Sequence, residues 1–173
     1  MMNDQARKFA LGEQLKPHSN AISALDTLEM GPLFWFADWP TGNVPRLGAI
    51  VYTVWDRSNC LIYTGMAGRS GTSTNGGGPY GRLASHAGGR RSGDQFCIYV
   101  GDRFVLPRVL DRILEIAAGQ LSLDRLTREF IRAELGFRFI AVDDSAAALT
   151  IERTIQKGAL RAGKPLLNPQ SNL

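Results

Sequence analysis

The sequence predicts an α+β fold, built on a small, mainly antiparallel sheet of three or four strands flanked by helices. Two runs of β-branched and aromatic residues, IVYTVWD and LIYTG, flank the turn segment RSNC and predict a β-hairpin over residues 50–65. A later run, FRFIAV, has the same composition, and we expect it beside the hairpin. Helix-capping residues lie between these runs, and an apolar fraction of 44% over 173 residues suffices for one core.

Residues 1–46 are predicted to form an N-terminal appendage packed on a domain at 47–173. A short helix is expected around residues 4–15, and the aromatic-rich stretch LFWFADWP follows it. Its aromatic side chains could stack on nucleic-acid bases or pack against the domain. We expect packing, because buried aromatic side chains are much commoner than base-stacking ones.

The register of the hairpin decides where its two tyrosines lie. Side chains alternate between the faces of a strand, so pairing of Asp56 with Leu61 or Asn59 makes Tyr52 and Tyr63 neighbours on one face. A slip of one residue would separate them.

The stretch RSGTSTNGGGPYG is too rich in glycine to form regular structure, and a short helix is expected after it. Pro79 suits the start of that helix, and Gly88 with Gly89 suits its end. Arg82 and His86 are four residues apart, so they share one helix face. The next run, QFCIYV, predicts a further strand.

A helical insertion is predicted around residues 101–136. Within it, residues 106–135 read as two helices broken near Gly119, and Ser122 is a suitable N-cap for the second.

The last predicted helix begins at Asp144 or Ser145 and runs to about Arg161. Its apolar face is formed by Ala148, Ile151, Ile155 and Ala159. Glu152 falls on that face, where an unpaired carboxylate is costly. Two partners are open: an arginine in a structural ion pair, or a divalent cation such as Mg²⁺ or Mn²⁺, which prefers oxygen ligands.

Arginine supplies 16 of the 20 basic residues, and the net charge is +4. The guanidinium fork matches phosphate oxygens in pairs, which favours a polyanionic partner, although genomic base composition can also enrich arginine. Cys60 and Cys97 have no zinc-binding spacing with the two histidines. No apolar run approaches the roughly 20 residues of a membrane span, and the start lacks the apolar core of a signal peptide, so a cytoplasmic location without membrane contact is expected.

Several short motifs occur in a fixed order along the chain. IVY ends at Tyr52, YTG begins at Tyr63, and GRLASH contains both Arg82 and His86. IERTI and LLNP follow, and they carry the last two polar positions, Glu152 and Asn168. In this order and spacing, residues 48–170 resemble the GIY-YIG nuclease family, with IVY in the place of GIY and YTG in the place of YIG.

The resemblance implies a metal-dependent endonuclease that hydrolyses DNA with one divalent cation, Mg²⁺ or Mn²⁺, held by Glu152. Tyr52 would act as the general base or its relay, helped by the cationic surroundings of Arg82 and His86. Tyr63 would position the attacking water or a phosphate oxygen. Arg82 would hold the non-bridging oxygens of the phosphate.

Asn168 would support the site by tying the last segment to the core. Since one site makes one nick, double-strand cutting would require a homodimer or sequential action. RNA is an alternative substrate. Two other functions stay open: a catalytically inactive nucleic-acid-binding module of the same fold, and a protein without a nucleic-acid role in which Glu152 is ion-paired.

Overall fold

The computed structural model describes residues 17–68 and 78–168. Within these ranges the chain has an α+β fold, in which six α-helices flank one four-stranded antiparallel sheet, and the predicted fold class is confirmed. The strands are β1 (Phe34–Trp35), β2 (Ala49–Asp56), β3 (Leu61–Ala67) and β4 (Leu135–Val142). The helices are α1 (Pro17–Met30), α2 (Pro79–Gly88), α3 (Gln95–Val100), α4 (Ile113–Ala117), α5 (Leu123–Glu134) and α6 (Ser145–Gln156). None of these helices is both long and apolar enough to cross a bilayer.

The sheet order is β1-β4-β2-β3, so the FRFIAV strand lies beside the hairpin as predicted. In the hairpin, Tyr52 lies opposite Gly65 and Tyr63 lies opposite Val54. The two tyrosines therefore share one face, which confirms the geometric prediction. From Ile50–Ala67 to Val54–Tyr63 the hairpin keeps the register in which Asp56 would lie opposite Leu61. A register shift after Val54 puts Leu61 opposite Trp55 instead.

Both faces of the sheet are covered. The face that carries Ile50, Tyr52 and Val54, called here the tyrosine face, packs against α2, α3 and α5. The opposite face, with Val51 and Trp55, packs against α1 and α6. This double cover explains why β2 is buried along almost its whole length instead of alternating between buried and exposed residues.

The run QFCIYV is helix α3, so the strand prediction was wrong. A short apolar run fits a buried strand or a buried helix equally well by periodicity. Here the side chain of Asp94 accepts a hydrogen bond from the backbone N–H of Phe96, and this N-cap starts a helix. Phe96, Cys97 and Val100 then share the buried face at helical spacing.

Some helix boundaries agree with the prediction and others differ for local chemical reasons. Ser122 caps α5 and the helical structure is interrupted at Gly119, which has a positive φ of 71°, both as expected. In place of the first predicted helix, two 3-10 turns, Leu106–Arg108 and Leu110–Arg112, precede the short α4, since Pro107 has no N–H to continue a helix. A π-helical turn, Gly101–Val105, comes before them. Asp144 caps α6, which ends at Gln156 rather than near Arg161.

The N-terminal segment contributes to the sheet as well as to its cover. The aromatic packing expected for it is present: Phe36 is fully buried with its ring 5.0 Å from that of Phe137, and Trp39 lies 4.9 Å from Tyr80. Helix α1 was not predicted. The helix predicted at 4–15 and most of the glycine-rich stretch lie outside the described residues.

Candidate active site

Four of the predicted site residues form one cluster on the tyrosine face. Leu83 is fully buried and holds α2 against the sheet, which brings Arg82 and His86 to the two tyrosines. The hydroxyl of Tyr52 lies 2.7 Å from His86 Nε2, and Arg82 Nε donates to the same oxygen at 3.4 Å. The ring of Tyr63 is 6.4 Å from that of Tyr52 and 6.1 Å from that of His86. Tyr52 and His86 are fully buried, and Arg82 is the most exposed member.

A fifth residue, Asp94, belongs to this cluster and was not predicted. Its Oδ2 lies 2.7 Å from His86 Nδ1 and accepts a hydrogen bond from Ser85 Oγ at 2.8 Å. Its Oδ1 accepts the N-cap hydrogen bond from Phe96 N at 3.1 Å. An aspartate before an apolar run is a helix-start signal, so recognising QFCIYV as a helix would have drawn attention to Asp94.

Burial and charge set the protonation states of the cluster. Burial and the neighbouring Tyr63 raise the pKa of Tyr52 well above its usual value, and Arg82 only partly opposes this. Burial lowers the pKa of His86, although the Asp94 carboxylate acts in the opposite direction. Burial would raise the pKa of Asp94, but hydrogen bonds from His86 and Ser85 bring it down to about 2. At neutral pH, Tyr52 is therefore protonated, His86 is neutral and Asp94 is ionised.

Glu152, on α6, is linked to the cluster through its charge. Burial raises the pKa of its half-buried carboxyl, while Arg82 and Arg153 oppose the shift. Burial raises the pKa of Tyr63, Arg82 opposes this shift, and the charge of Glu152 adds a smaller increase. Gln156 Nε2 lies 3.4 Å from its Oε1, and none of the ion pairs within residues 17–68 and 78–168 includes Glu152. Its carboxylate is thus close enough to Arg82 to feel its charge and is not bound in a structural ion pair there.

Asn168 holds the C-terminal segment against the edge strand β3. Its Oδ1 accepts from Thr64 N and its Nδ2 donates to Thr64 O, both at 2.8 Å. Backbone N–H groups of Leu166 and Leu167 bind carbonyls of the same strand. The side chain thus makes the hydrogen bonds expected of a supporting residue and has no contact with the tyrosine cluster among its described hydrogen bonds.

His86, Asp94 and Cys97 offer ligand atoms within 4.8 Å of one another, which is close enough to hold a metal ion. These atoms are instead engaged in hydrogen bonds, since both carboxylate oxygens of Asp94 and both ring nitrogens of His86 already have partners. Burial also raises the pKa of the Cys97 thiol far above its usual value, so the thiolate that binds metals is disfavoured.

Gly65, the glycine of YTG, leaves room for the Tyr52 hydroxyl. A Cβ at this position would overlap Tyr52 Oη. We expect Gly65→Ala to reduce the free energy of unfolding by about 1–3 kcal/mol, because an added methyl in a packed core forces its neighbours to move. Gly88→Ala is the matched control, since a Cβ there meets nothing within 4 Å. Urea denaturation of both variants measures the difference, and equal stabilities would contradict the crowding argument.

Comparisons with protein-family models, with curated proteins and with solved structures gave no match. The resemblance to the GIY-YIG family accordingly stays a prediction that depends on the motifs.

Proposed function

We propose that the chain is a metal-dependent endonuclease that hydrolyses DNA phosphodiester bonds. The main support is the convergence of Tyr52, Arg82 and His86 at one hydroxyl, with the carboxylate of Glu152 in electrostatic contact with Arg82. This set combines a proton acceptor, a fixed cation for phosphate oxygens and an oxygen ligand for a metal. Those are the three groups that phosphodiester hydrolysis requires.

The residues present fit one Mg²⁺ or Mn²⁺ ion. Mg²⁺ is commonly held by one or two carboxylates, the substrate phosphate and several waters, so one protein ligand is enough. Glu152 is half-buried and outside the described ion pairs, which leaves its oxygens for such a cation. When bound, the ion would polarise the scissile phosphate and offset its charge.

The proposed reaction is an in-line attack of water on phosphorus. Tyr52 Oη takes a proton from the attacking water while its own proton passes to His86 Nε2, along the 2.7 Å contact between them. The water oxygen forms the new P–O bond, the bond to the leaving 3′ oxygen breaks, and that oxygen takes a proton from solvent. His86 later returns its proton to solvent, so the enzyme is regenerated.

Arg82 acts twice in this scheme. Its Nε already donates to Tyr52 Oη, so it stabilises the negative charge that develops on this oxygen during the proton transfer. The rest of its guanidinium can bind the non-bridging phosphate oxygens. Tyr63 packs beside this pair and would orient the water or a phosphate oxygen.

We further propose a cytoplasmic location, since Cys60 and Cys97 are both free thiols, as is usual in a reducing compartment. A single site cleaves a single strand, so cutting both strands would require a homodimer or two successive nicks. RNA is a secondary substrate in this proposal.

The test is nicking of supercoiled plasmid by the purified protein with Mg²⁺, with Mn²⁺ and with EDTA. We expect metal-dependent nicking that Arg82→Ala lowers about 10²–10³-fold, as loss of one charge-stabilising donor does in other enzymes. Arg125→Ala, at an exposed position of α5, is the matched control and should retain wild-type activity.

Salt-dependent DNA binding without nicking on plasmid, branched or single-stranded DNA would contradict the proposal and favour a binding module. Absence of both binding and nicking would indicate a protein without a nucleic-acid role.

A further inference from the structure

Asp94 holds more hydrogen bonds than a helix cap requires. An N-cap uses one side-chain oxygen, and Oδ1 of Asp94 fills that role by accepting from Phe96 N. The other oxygen, Oδ2, faces away from the helix start to His86 Nδ1 and Ser85 Oγ. The carboxylate is only 1% exposed, and a buried charge is tolerated when each oxygen has such donors.

The contacts of Asp94 determine the tautomer of His86. An ionised carboxylate only accepts hydrogen bonds, so His86 must carry its proton on Nδ1 to bind Oδ2 at 2.7 Å. A neutral ring then has a bare Nε2, which accepts the hydroxyl hydrogen of Tyr52. Arg82 approaches the Tyr52 oxygen as a donor, which is consistent with that hydrogen pointing to His86.

We propose that Asp94 is a positioning residue of the nuclease: by binding His86 Nδ1–H, it keeps Nε2 free to receive the hydroxyl proton of Tyr52. This inference rests on the proposed function and adds a residue that the sequence motifs do not contain. As the proton moves from Tyr52 Oη to Nε2, the ring becomes an imidazolium whose charge lies against the carboxylate of Asp94. Ser-His-Asp hydrolases orient and stabilise their histidine in the same way.

Asp94→Asn is the discriminating variant. Asparagine can keep the Phe96 cap with its oxygen, but its amide nitrogen then faces His86 Nδ1 and donates to it. The ring must respond by moving its proton to Nε2, which now donates to Tyr52 and can no longer receive from it. We expect kcat to fall by about 10²–10⁴-fold, as in enzymes whose histidine is held in the wrong tautomer, with KM little changed.

Two control variants separate this role from others. Ser85→Ala removes one hydrogen bond to the same Oδ2 and leaves the carboxylate ionised, so it should retain kcat within a few-fold. Cys97→Ala removes the third member of the candidate metal cluster and should also retain kcat, whereas a metal site there would lose activity in Asp94→Asn and Cys97→Ala alike.

Nitrogen-15 NMR of the imidazole ring tests the inference without any cleavage assay. The sequence has two histidines, so a His18→Gln background leaves His86 as the single signal. We expect Nδ1 to be protonated and Nε2 bare in the parent protein, and the reverse in Asp94→Asn. A parent ring with its proton on Nε2 would overturn the inference whether or not the protein cuts DNA. If the NMR result holds and no metal-dependent nicking is found, the proposed function fails and the assignment of the tautomer stands.

Discussion

Replacing Tyr52 with phenylalanine is expected to lower kcat for plasmid nicking by about 10³-fold or more, since general-base catalysis contributes on the order of 10²–10⁴-fold. The substitution removes one oxygen atom, the one that lies 2.7 Å from His86 Nε2 and 3.4 Å from Arg82 Nε. DNA affinity should change little, because the phosphate-binding guanidinium of Arg82 remains. The effect should therefore appear in kcat rather than in KM.

Expressed as free energies, the loss of stability should be smaller than the loss of catalysis. Tyr52→Phe leaves His86 Nε2 without its donor in a fully buried position, which is worth about 1–3 kcal/mol. Tyr99 lies on α3, is half-buried and is outside the cluster. Tyr99→Phe therefore makes the same chemical change away from the site and is the control for both measurements. Single-turnover kinetics and urea denaturation supply the two numbers. Wild-type kcat in Tyr52→Phe would remove Tyr52 from the proton path.

Local sequence patterns were sufficient to predict most of the cluster. The alternation of a strand puts Tyr52 and Tyr63 on one face, and the four-residue spacing of a helix puts Arg82 beside His86. The register shift falls after Val54, beyond the pairs Tyr52–Gly65 and Val54–Tyr63, so it leaves both tyrosines on one face. The helical phase likewise placed Glu152 among apolar neighbours, where it is half-buried.

Asp94 could not be found in this way, because its role depends on how two helices meet. Asp94 and His86 are separated by a turn that contains Gly89, whose φ of 66° reverses the chain at the end of α2. The direction of α3 after that turn brings the carboxylate to the imidazole. A strand at QFCIYV, as predicted, would have carried Asp94 away. Helix α1 was missed for a different reason, since its apolar residues show little helical periodicity.

Glu152→Gln should abolish metal-dependent cleavage while leaving the fold intact. Activity should fall, but stability without metal should not. Loss of the only proposed protein ligand for Mg²⁺ removes the polarisation of the phosphate, for which we expect about 10³-fold or more in kcat. Stability without metal should instead stay equal or rise slightly. The carboxylate is half-buried, its pKa is raised by burial, and the described ion pairs do not include it, so an uncharged amide of similar shape avoids a desolvation cost.

Added Mg²⁺ should reverse the stability order of the two proteins. A cation that binds the folded state stabilises it by RT ln(1 + [Mg²⁺]/Kd), so the melting temperature of the wild type should rise with Mg²⁺ and that of Glu152→Gln should not. At low pH, the difference in stability between the wild type and Glu152→Gln without metal should become smaller. Burial raises the pKa of Glu152 in the folded protein above its usual 4.5. As the pH falls toward this raised pKa, Glu152 takes up a proton in the folded protein before it does so in the unfolded chain. The cost of the buried charge then disappears, and the stability of the wild type approaches that of the variant.

Glu129→Gln, at an exposed position of α5, is the matched control for these measurements. The Glu129 carboxylate pairs with Arg125 at 3.7 Å in solvent, so its loss should affect neither cleavage nor the response to Mg²⁺. A structural ion-pair role for Glu152 predicts the contrary pattern: a clear loss of stability in Glu152→Gln, and no difference between wild type and variant in how Mg²⁺ shifts the melting temperature. The sign of the stability change in EDTA thus decides between metal ligand and structural partner before any DNA is added.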